Sequence, residues 1–470
     1  MRTSFNIFLL GGLLAFTSCN KWLDVKPKTQ VASADAFRDE QGFKDALTGV
    51  YENMTKQDVY GRELSFGFTD VLAQNYTGFV SYNDYYQDAH YNYAYTSTKA
   101  RIDNIWKTSY NTIANINNLI DNLEKADRHM FPGSDYAVIR GEAYGLRAFN
   151  HFDLLRLYAP APAAGGAGEK GIPYRTSLST APVASSTVGE VITKILADLQ
   201  VASDMLKTAD PVVAANNIPA TGGGYLRDRH YKFNYYAVRA LMARVYLYSG
   251  DKAKALACAQ EVIESNAYPA SAVGKILGGD RIFSSEVIFD LNINTLETLW
   301  EQNFSTQLSI GLYLSADQWS QIYELNNGGS ADYRYLYQTE LQNDYMQTRL
   351  CIKLRPATNT NAANRLVLMR ASEMYYIAAE SLADTEPGTA VDYLNTMRAR
   401  RNLQPLDRSL SASEIQDEIY KEYQKEFFCE GQLFYYYKRL NKPAIRFSQV
   451  VANNAVYVLP KPDDEIEFGN

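Results

Sequence analysis

The sequence has few cysteines and no excess of positive charge. It also has no apolar stretch as long as the roughly 20 residues that a membrane-spanning helix needs. Its 470 residues include 4 Cys, 46 Lys and Arg, and 53 Asp and Glu, giving a formal net charge of −7 at pH 7. A nucleic-acid-binding protein needs a basic face, so this acidic balance argues against that class. The cysteines form neither a CxxC pair nor a zinc-ligand spacing, so they predict no zinc site.

The common catalytic and nucleotide-binding motifs are also missing. The four histidines form no H-E-x-x-H pattern, and no G-x-S-x-G, P-loop or dinucleotide fingerprint occurs. Pairs of carboxylates remain as candidates for catalysis, because glycosidases act through two carboxyl groups. Glu373 and Glu380 share one predicted helix face, and Glu426 and Glu430 lie one turn apart near the predicted partner Arg370. We interpret these groups as ion-paired and predict no enzymatic activity, cofactor or metal.

The first residues have the layout of a secretory signal that ends on a lipid-accepting cysteine. Arg2 precedes an apolar run from Ile7 to Phe16, and small residues then lead to Cys19. A run of about ten residues fits the h-region of a signal peptide and is half the length of a spanning helix. We therefore predict that residues 1–18 are removed and that Cys19 carries the lipid. An ordinary signal peptide or a single membrane anchor is the alternative.

Tyrosine is unusually abundant, with 36 Tyr against 28 Gly. Residues 76–95 carry seven tyrosines interleaved with Asn, Asp and Gln, and a second aromatic group follows between residues 300 and 337. A tyrosine ring has a flat apolar face and a polar tip, which suits stacking on sugar rings. Packing of these rings against the helical body or against a protein partner is the alternative.

Apolar periodicity predicts a mostly α protein. Residues 19–34 resemble an extended tether, and residues 35–470 are expected to form one domain. Within it, the pattern breaks from about 284 to 345, which predicts a large irregular insertion containing a short strand, Glu286–Leu291. Two helix pairs have spacings like those of tetratricopeptide repeats: Tyr235–Tyr248 with Lys252–Glu264, and Leu366–Leu382 with Ala390–Arg401. Other predicted helices are Ile102–Leu123, Tyr136–Tyr158, Val188–Leu206 and Glu414–Leu440.

Several motifs occur in a fixed order over nearly the whole mature chain. Arg147 to Tyr158 matches the pattern R-A-x-x-x-F-x-L-x-R-x-Y. Further matches lie at residues 19–27, 365–382, 394–400, 426–431 and 458–462. Together these segments resemble the SusD/RagB family of outer-membrane nutrient-binding lipoproteins of the Bacteroidetes type.

This resemblance implies a SusD-like helical fold, a lipid anchor in the outer membrane and a position at the cell surface. It also implies a partner, a SusC-like TonB-dependent β-barrel transporter, and a role in binding and delivery rather than catalysis. The expected ligand is an oligosaccharide, and a peptide is the alternative. A surface glycosidase and a scaffold that binds only protein are further alternatives from other functional classes.

Family members place ligand-contacting aromatic residues in loops of two regions. These regions correspond to the tyrosine-rich segment and to the irregular insertion. No motif fixes the contacting positions within these regions. We predict ligand contacts first by Tyr82 and Tyr85 from the first region, and by Trp300 and Trp319 from the second.

The lipid-anchor prediction is tested by Cys19→Ala. The substitution should release the protein from the membrane without unfolding it, because only the lipid is lost. Membrane fractionation in cells that lack the transporter measures this release. Continued membrane association of the variant in those cells would contradict the prediction.

Overall fold

The structure, a computed structural model, describes residues 36–215, 224–305, 311–355 and 363–468. The predicted signal peptide, Cys19 and the tether to residue 34 lie outside the described residues. Within the described chain, no helix has both the length and the apolar character required to cross a bilayer.

Helices dominate the first half of the described chain, as the periodicity predicts. Thr187 and Glu190 form a capping box at the start of one of them. In chain order the helices are α1 (Glu40–Met54), α2 (Phe68–Leu72), α3 (Tyr86–Ala89), α4 (Thr96–Leu123), α5 (Asp135–Tyr158), α6 (Val188–Ala209), α7 (Pro211–Ala215), α8 (Tyr235–Ser249), α9 (Lys252–Glu264) and α10 (Val273–Leu277).

The second half combines short strands with helices. Strand β1 pairs antiparallel with β4, and β2 pairs antiparallel with β3. The elements are β1 (Val287–Asn292), α11 (Leu296–Asn303), α12 (Ala316–Ile322), α13 (Tyr333–Gln338), β2 (Thr339–Leu341), β3 (Arg349–Cys351), β4 (Arg365–Arg370), α14 (Ala371–Leu382), α15 (Pro387–Arg400), α16 (Ala412–Glu426), α17 (Leu433–Arg439), α18 (Asn454–Tyr457) and α19 (Asp463–Phe468).

The long helices pack one after another in a continuous series. Helix α4 lies on α5, α5 on α6, α6 on α8, α8 on α9, α9 on α14, and α14 on α15 and α16. Stacking of helix pairs on their neighbours is how tetratricopeptide-like arrays bury their apolar faces. The two predicted helix pairs are therefore present as α8–α9 and α14–α15.

Close packing in this series depends on two glycines of α5. A Cβ added at Gly141 would lie 2.6 Å from Leu206 Cγ, and one at Gly145 would lie 2.5 Å from the Phe233 ring. Both distances are shorter than real Cβ contacts, so these helix positions accept only glycine without a shift of the neighbouring side chain.

Two predicted helices are wrong in part. Residues 365–370 form strand β4, whose six residues are all buried; a short apolar run has no periodicity that separates strand from helix. The predicted helix Glu414–Leu440 breaks at Phe427–Gln432, where Cys429 and Gly431 have positive φ. The buried carboxylate of Asp70 accepts hydrogen bonds from both backbone N–H groups, at 2.7 and 3.1 Å, and so stabilises the break.

The segment predicted as an irregular insertion, about residues 284–345, begins at the strand pair. It contains β1 as its predicted strand, and its described helices have eight residues or fewer. Short elements bury little apolar surface by themselves. Other interactions must therefore fix this segment on the helix series.

A buried carboxylate, that of Glu426 in α16, lies at the centre of such an interaction. Arg401 donates to both of its oxygens at 2.6 and 3.0 Å, Arg334 donates at 3.0 Å, and Arg370 donates at 3.3 Å. These four side chains are at most 1 % exposed. Although burial alone raises a carboxyl pKa, the charges of the three arginines hold the pKa of Glu426 well below its usual value.

The arginines extend the contacts outward to further carboxylates. Arg401 also binds Glu286 at 2.7 and 2.9 Å, ahead of β1. Arg334 of α13 also binds Glu422 at 2.8 Å, and Arg370 of β4 binds Glu430 in the α16–α17 break. We call these eight residues the Glu426 network: Glu286, Arg334, Arg370, Arg401, Glu422, Glu426, Glu430 and Lys353, which pairs with Glu430. The network joins the insertion to α15 and α16.

Glu426→Gln should destabilise the protein by about 3–5 kcal/mol, because it leaves arginines buried without their shared counter-charge. Because the pKa of Glu426 is lower in the folded state, its contribution is fully present above the unfolded value near 4.5 and is lost as the pH falls. The variant should therefore also lose part of the acid sensitivity of unfolding. Chemical denaturation between pH 3 and 7 measures both effects.

Asp417→Asn is the matched control, because Asp417 lies exposed on the same helix. It should change the free energy of unfolding by less than about 0.5 kcal/mol. Equal effects of the two substitutions would contradict a central role for Glu426.

Candidate ligand-binding site

An open groove lies where the tyrosine-rich segment, α12 and the loop before α18 meet. Its volume is about 250 Å³. We call it the Gln318 groove, and its lining residues are Gln74, Tyr76–Phe79, Ala89, His90, Gln318 and Phe447–Val450. The groove thus combines both aromatic regions singled out in the sequence with a third segment near the C-terminus.

The wall formed by residues 76–79 lies directly on Tyr313. The Thr77 N–H donates to the Tyr313 carbonyl at 2.9 Å. Gly78 has φ +76°, and a Cβ at this position would lie 2.0 Å from Tyr313 Oη. Only glycine combines this left-handed backbone with so close an approach, so Gly78 sets the position of the wall.

Two buried polar atoms at the groove have no hydrogen-bond partner among the described residues: Gln318 Oε1 and Tyr313 Oη. Gln318 lines the groove, and Tyr313 lies against the lining residue Gly78. A buried polar atom left unpaired costs about 1–3 kcal/mol, so most native structures pair it. Hydroxyl groups of a ligand can donate hydrogen bonds, and would match Gln318 Oε1, which lines the groove.

Aromatic rings border the same space. Phe79 and Phe447 are half-buried, and the Arg446 guanidinium lies 4.9 Å from the Phe447 ring centroid. The rings of Tyr86 and His90 lie 4.4 Å apart. Phe447 has φ +68°, a strained conformation for a residue with a side chain, and such strain clusters at functional sites. Rings beside amide and hydroxyl groups form a surface that suits a sugar.

The tyrosine-rich segment is held by a buried charge cluster on α4. Tyr85 Oη donates to Glu63 at 3.0 Å, and the Arg101 guanidinium lies 4.5 Å from the Tyr85 ring centroid. Arg101 also pairs with Glu63 and with Asp88. Burial raises the pKa of Asp88 to about 6 despite the nearby Arg101 charge. Tyr85 therefore anchors this segment.

The predicted ligand contacts in this segment have different surroundings. Tyr82 is 65 % exposed in the turn before α3, so its ring is accessible, although it does not line the groove. Tyr85 is only 5 % exposed, and the Arg101 guanidinium lies over its ring. The hydroxyl and the ring of Tyr85 are therefore both engaged within the protein, and its predicted contact with the ligand stays a prediction.

The two predicted tryptophans also pack into the structure. Trp319 is 1 % exposed and lies 5.2 Å from the Phe428 ring, so it supports α12 and has no free face. Trp300 is half-buried, donates from Nε1 to the Cys351 carbonyl at 2.6 Å and stacks near Phe304. Trp319 is thus buried and Trp300 is partly exposed, and ligand contact by either ring stays a prediction.

Sequence reasoning missed Gln318, Phe79 and Phe447. Gln318 directly precedes Trp319 on α12. The prediction of Trp319 therefore identified the correct helix, but it is the Gln318 side chain that lines the groove. Phe447 lies in an irregular segment with no periodicity to indicate its role. Only the folded chain brings residue 447 to residues 74–90.

Two clefts among the described residues have more than twice the volume of the groove. One, of about 830 Å³, is a mainly apolar cleft along residues 458–466 near the C-terminus. The other, of about 700 Å³, lies beside α1. The Gln318 groove is preferred as the candidate site because it combines both predicted regions with the unpartnered polar atoms. Within the described residues, no cluster of His, Cys, Asp or Glu is arranged to hold a metal ion.

Comparison with known proteins identifies the family. A family model described as starch-binding and associating with the outer membrane matches residues 21–247, and the SusD family model matches residues 285–465. The chain belongs to the SusD/RagB family. Both matches together cover most of the chain, on either side of the α9–α10 region.

Individual relatives within this family are distant. A SusD-like protein of Formosa agariphila is 22 % identical, over 93 % of this chain and 91 % of the relative. A SusD superfamily protein of Bacteroides thetaiotaomicron has a TM-score of 0.68 at 24 % identity, covering 89 % and 92 % of the two chains. A SusD-like carbohydrate-binding protein of Bacteroides vulgatus has a TM-score of 0.71 at 18 % identity, covering 92 % and 96 %. These similarities confirm a SusD-like, mostly α fold.

The position of the groove wall is tested by Gly78→Ala, compared with Gly133→Ala. Both glycines have positive φ, but a Cβ at Gly133 meets nothing within 4 Å. Gly133→Ala should cost about 1 kcal/mol from backbone strain alone. Gly78→Ala should cost more and should also increase amide hydrogen exchange at residues 75–80, because the wall must move from Tyr313. Equal stability losses with unchanged exchange would contradict the close-approach argument.

Proposed function

We propose that this SusD/RagB family member binds an oligosaccharide in the Gln318 groove. The observation that carries the proposal is the combination of half-buried rings with the unpartnered polar atom Gln318 Oε1, whose residue lines the groove. Rings cover the apolar face of a sugar, and amides bind its hydroxyl groups. An open groove also suits a long oligosaccharide, because sugar units that extend beyond the groove do not have to be enclosed.

We further propose that the protein is a lipoprotein anchored through Cys19 at the outer-membrane surface. In this proposal it delivers its ligand to a SusC-like TonB-dependent transporter. The association with the outer membrane in the description of the family supports this location. The exposed ring of Tyr82 lies beside the groove segment and is available to either the ligand or the transporter.

Glycan hydrolysis is the less favoured function. A glycosidase needs one carboxyl group that stays protonated as the acid. Glu426 is committed to three arginines, and Glu373 and Glu380 pair with Arg244 and Arg439. These pairings favour binding over catalysis for the carboxylates that the sequence singled out.

Substitutions in the groove test the binding proposal. Phe79→Ala, Phe447→Ala and Gln318→Ala should each weaken polysaccharide binding about tenfold, because each removes a stacking face or a hydrogen-bonding group. Affinity electrophoresis against a panel of polysaccharides identifies the ligand, and calorimetry with its oligosaccharide then measures the loss.

Tyr95→Ala is the matched control, because this ring is 50 % exposed but lies outside the groove. It should leave binding unchanged. Retardation by no polysaccharide, together with clear binding of peptides, would replace the glycan by a peptide ligand. The appearance of new reducing ends would instead indicate a glycosidase.

A further inference from the structure

A second cleft lies on α1, built from residues that the Gln318 groove does not share. Its volume is about 700 Å³. One wall is the α1 stripe Thr48, Tyr51, Glu52 and Thr55, whose three- and four-residue spacings place these side chains on one helix face. The other walls are the segment 224–232 and residues 291–295 at the end of β1. We call this space the α1 cleft.

A lysine ammonium lies between two tyrosine rings in this cleft. Lys232 Nζ is 5.0 Å from the Tyr51 ring centroid and 4.9 Å from the Tyr225 ring centroid. Both tyrosine hydroxyls donate to Glu142 Oε2, at 2.7 and 2.8 Å, and so fix the two rings. The rings hold Lys232 in place by cation–π attraction.

The three N–H donors of this ammonium have no acceptor among the described residues. Lys232 is half-buried, and its side chain forms no hydrogen bond or ion pair within the described chain. Glu142, whose charge acts on Lys232, is already bound by both tyrosines and by Arg229. Burial lowers the pKa of Lys232, as expected for an ammonium that lacks a close partner.

The remaining lining groups are those that bind sugars. Tyr231 is half-buried and offers a ring, and Asn292, Asn294 and Thr295 are exposed and offer amides and a hydroxyl. The rim also carries three exposed charged residues, the cation Arg227 and the anions Glu52 and Asp228. These two carboxylates repel a polyanion, so a ligand with a single negative charge fits best.

We propose that the α1 cleft is a second saccharide-binding site, which takes a sugar unit bearing one carboxylate. Lys232 Nζ donates to that carboxylate, while Asn292 and Asn294 bind the hydroxyl groups. The inference relies on the proposed function only for the saccharide class of the ligand, because the cleft and its residues are independent of the Gln318 groove.

The test compares methyl β-D-glucuronide with methyl β-D-glucoside, which differ by the carboxylate at C6. Titration of the full protein is followed by NMR of isotopically labelled, methylated lysines. The glucuronide should shift the Lys232 signal and bind at least about tenfold more tightly than the glucoside, because a hydrogen bond to a charged group is worth about one to two powers of ten. Higher salt should reduce this difference.

Substitutions separate the specific role of Lys232 from the effect of the protein's positive charge in general. Lys232→Met should weaken glucuronide binding about tenfold or more, Lys232→Arg should retain most of it, and Lys125→Met, an exposed control, should have no effect. Equal affinity of wild-type protein for both sugars would overturn the proposal without any variant. Unchanged glucuronide binding by Lys232→Met would overturn it as well.

Phe79→Ala distinguishes this inference from the proposed function. It removes a ring of the Gln318 groove and should leave the glucuronide-induced shift of Lys232 intact. Unchanged polysaccharide binding by Phe79→Ala, together with an intact Lys232 response, would count against the proposed function alone. The expected loss of polysaccharide binding, accompanied by loss of the Lys232 response, would count against the α1 cleft alone.

Discussion

The shared burial of the Glu426 carboxylate by Arg334, Arg370 and Arg401 is the interaction on which the rest of the structure depends. Three arginines from separate parts of the chain neutralise one buried anion and its neighbours. A buried charge is tolerated only when its partners are in place, so these contacts specify a single arrangement of the insertion on α15 and α16. The many short elements between 284 and 355 gain a defined position in this way, which their small apolar areas do not provide.

The candidate ligand-binding site follows from that arrangement. Arg334 fixes α13, and Lys353 follows β3 directly in the chain. Arg349 of β3 forms an antiparallel β-bridge with Leu314, which lies just before α12. Helix α12 presents Gln318 on one side and buries Trp319 on the other. The charge cluster of Arg101 fixes the opposite wall through Tyr85. Two buried ionic clusters thus hold the two sides of one groove, while its rings remain partly exposed.

Much of the helical architecture could be predicted from the sequence, because long amphipathic helices carry their own periodicity. Strand β4 could not be predicted, because its six apolar and arginine residues are all buried and show no period that distinguishes a strand from a helix. The helix break after α16 depends on Asp70, more than 350 residues away in the chain. For the site, the aromatic regions were found, but abundance of tyrosine does not tell an anchor such as Tyr85 from a surface ring such as Tyr82. Phe447 carried no local signal at all.

The central claim is that the ligand occupies the groove between these two ionic clusters. Hydrogen–deuterium exchange of the full protein, with and without an oligosaccharide that it binds, tests this most directly. The account predicts slower exchange at residues 74–90, around Gln318 and at residues 447–450, with the helix series α8–α9 unchanged. Protection confined to segments outside the groove, with no change at these three, would contradict it.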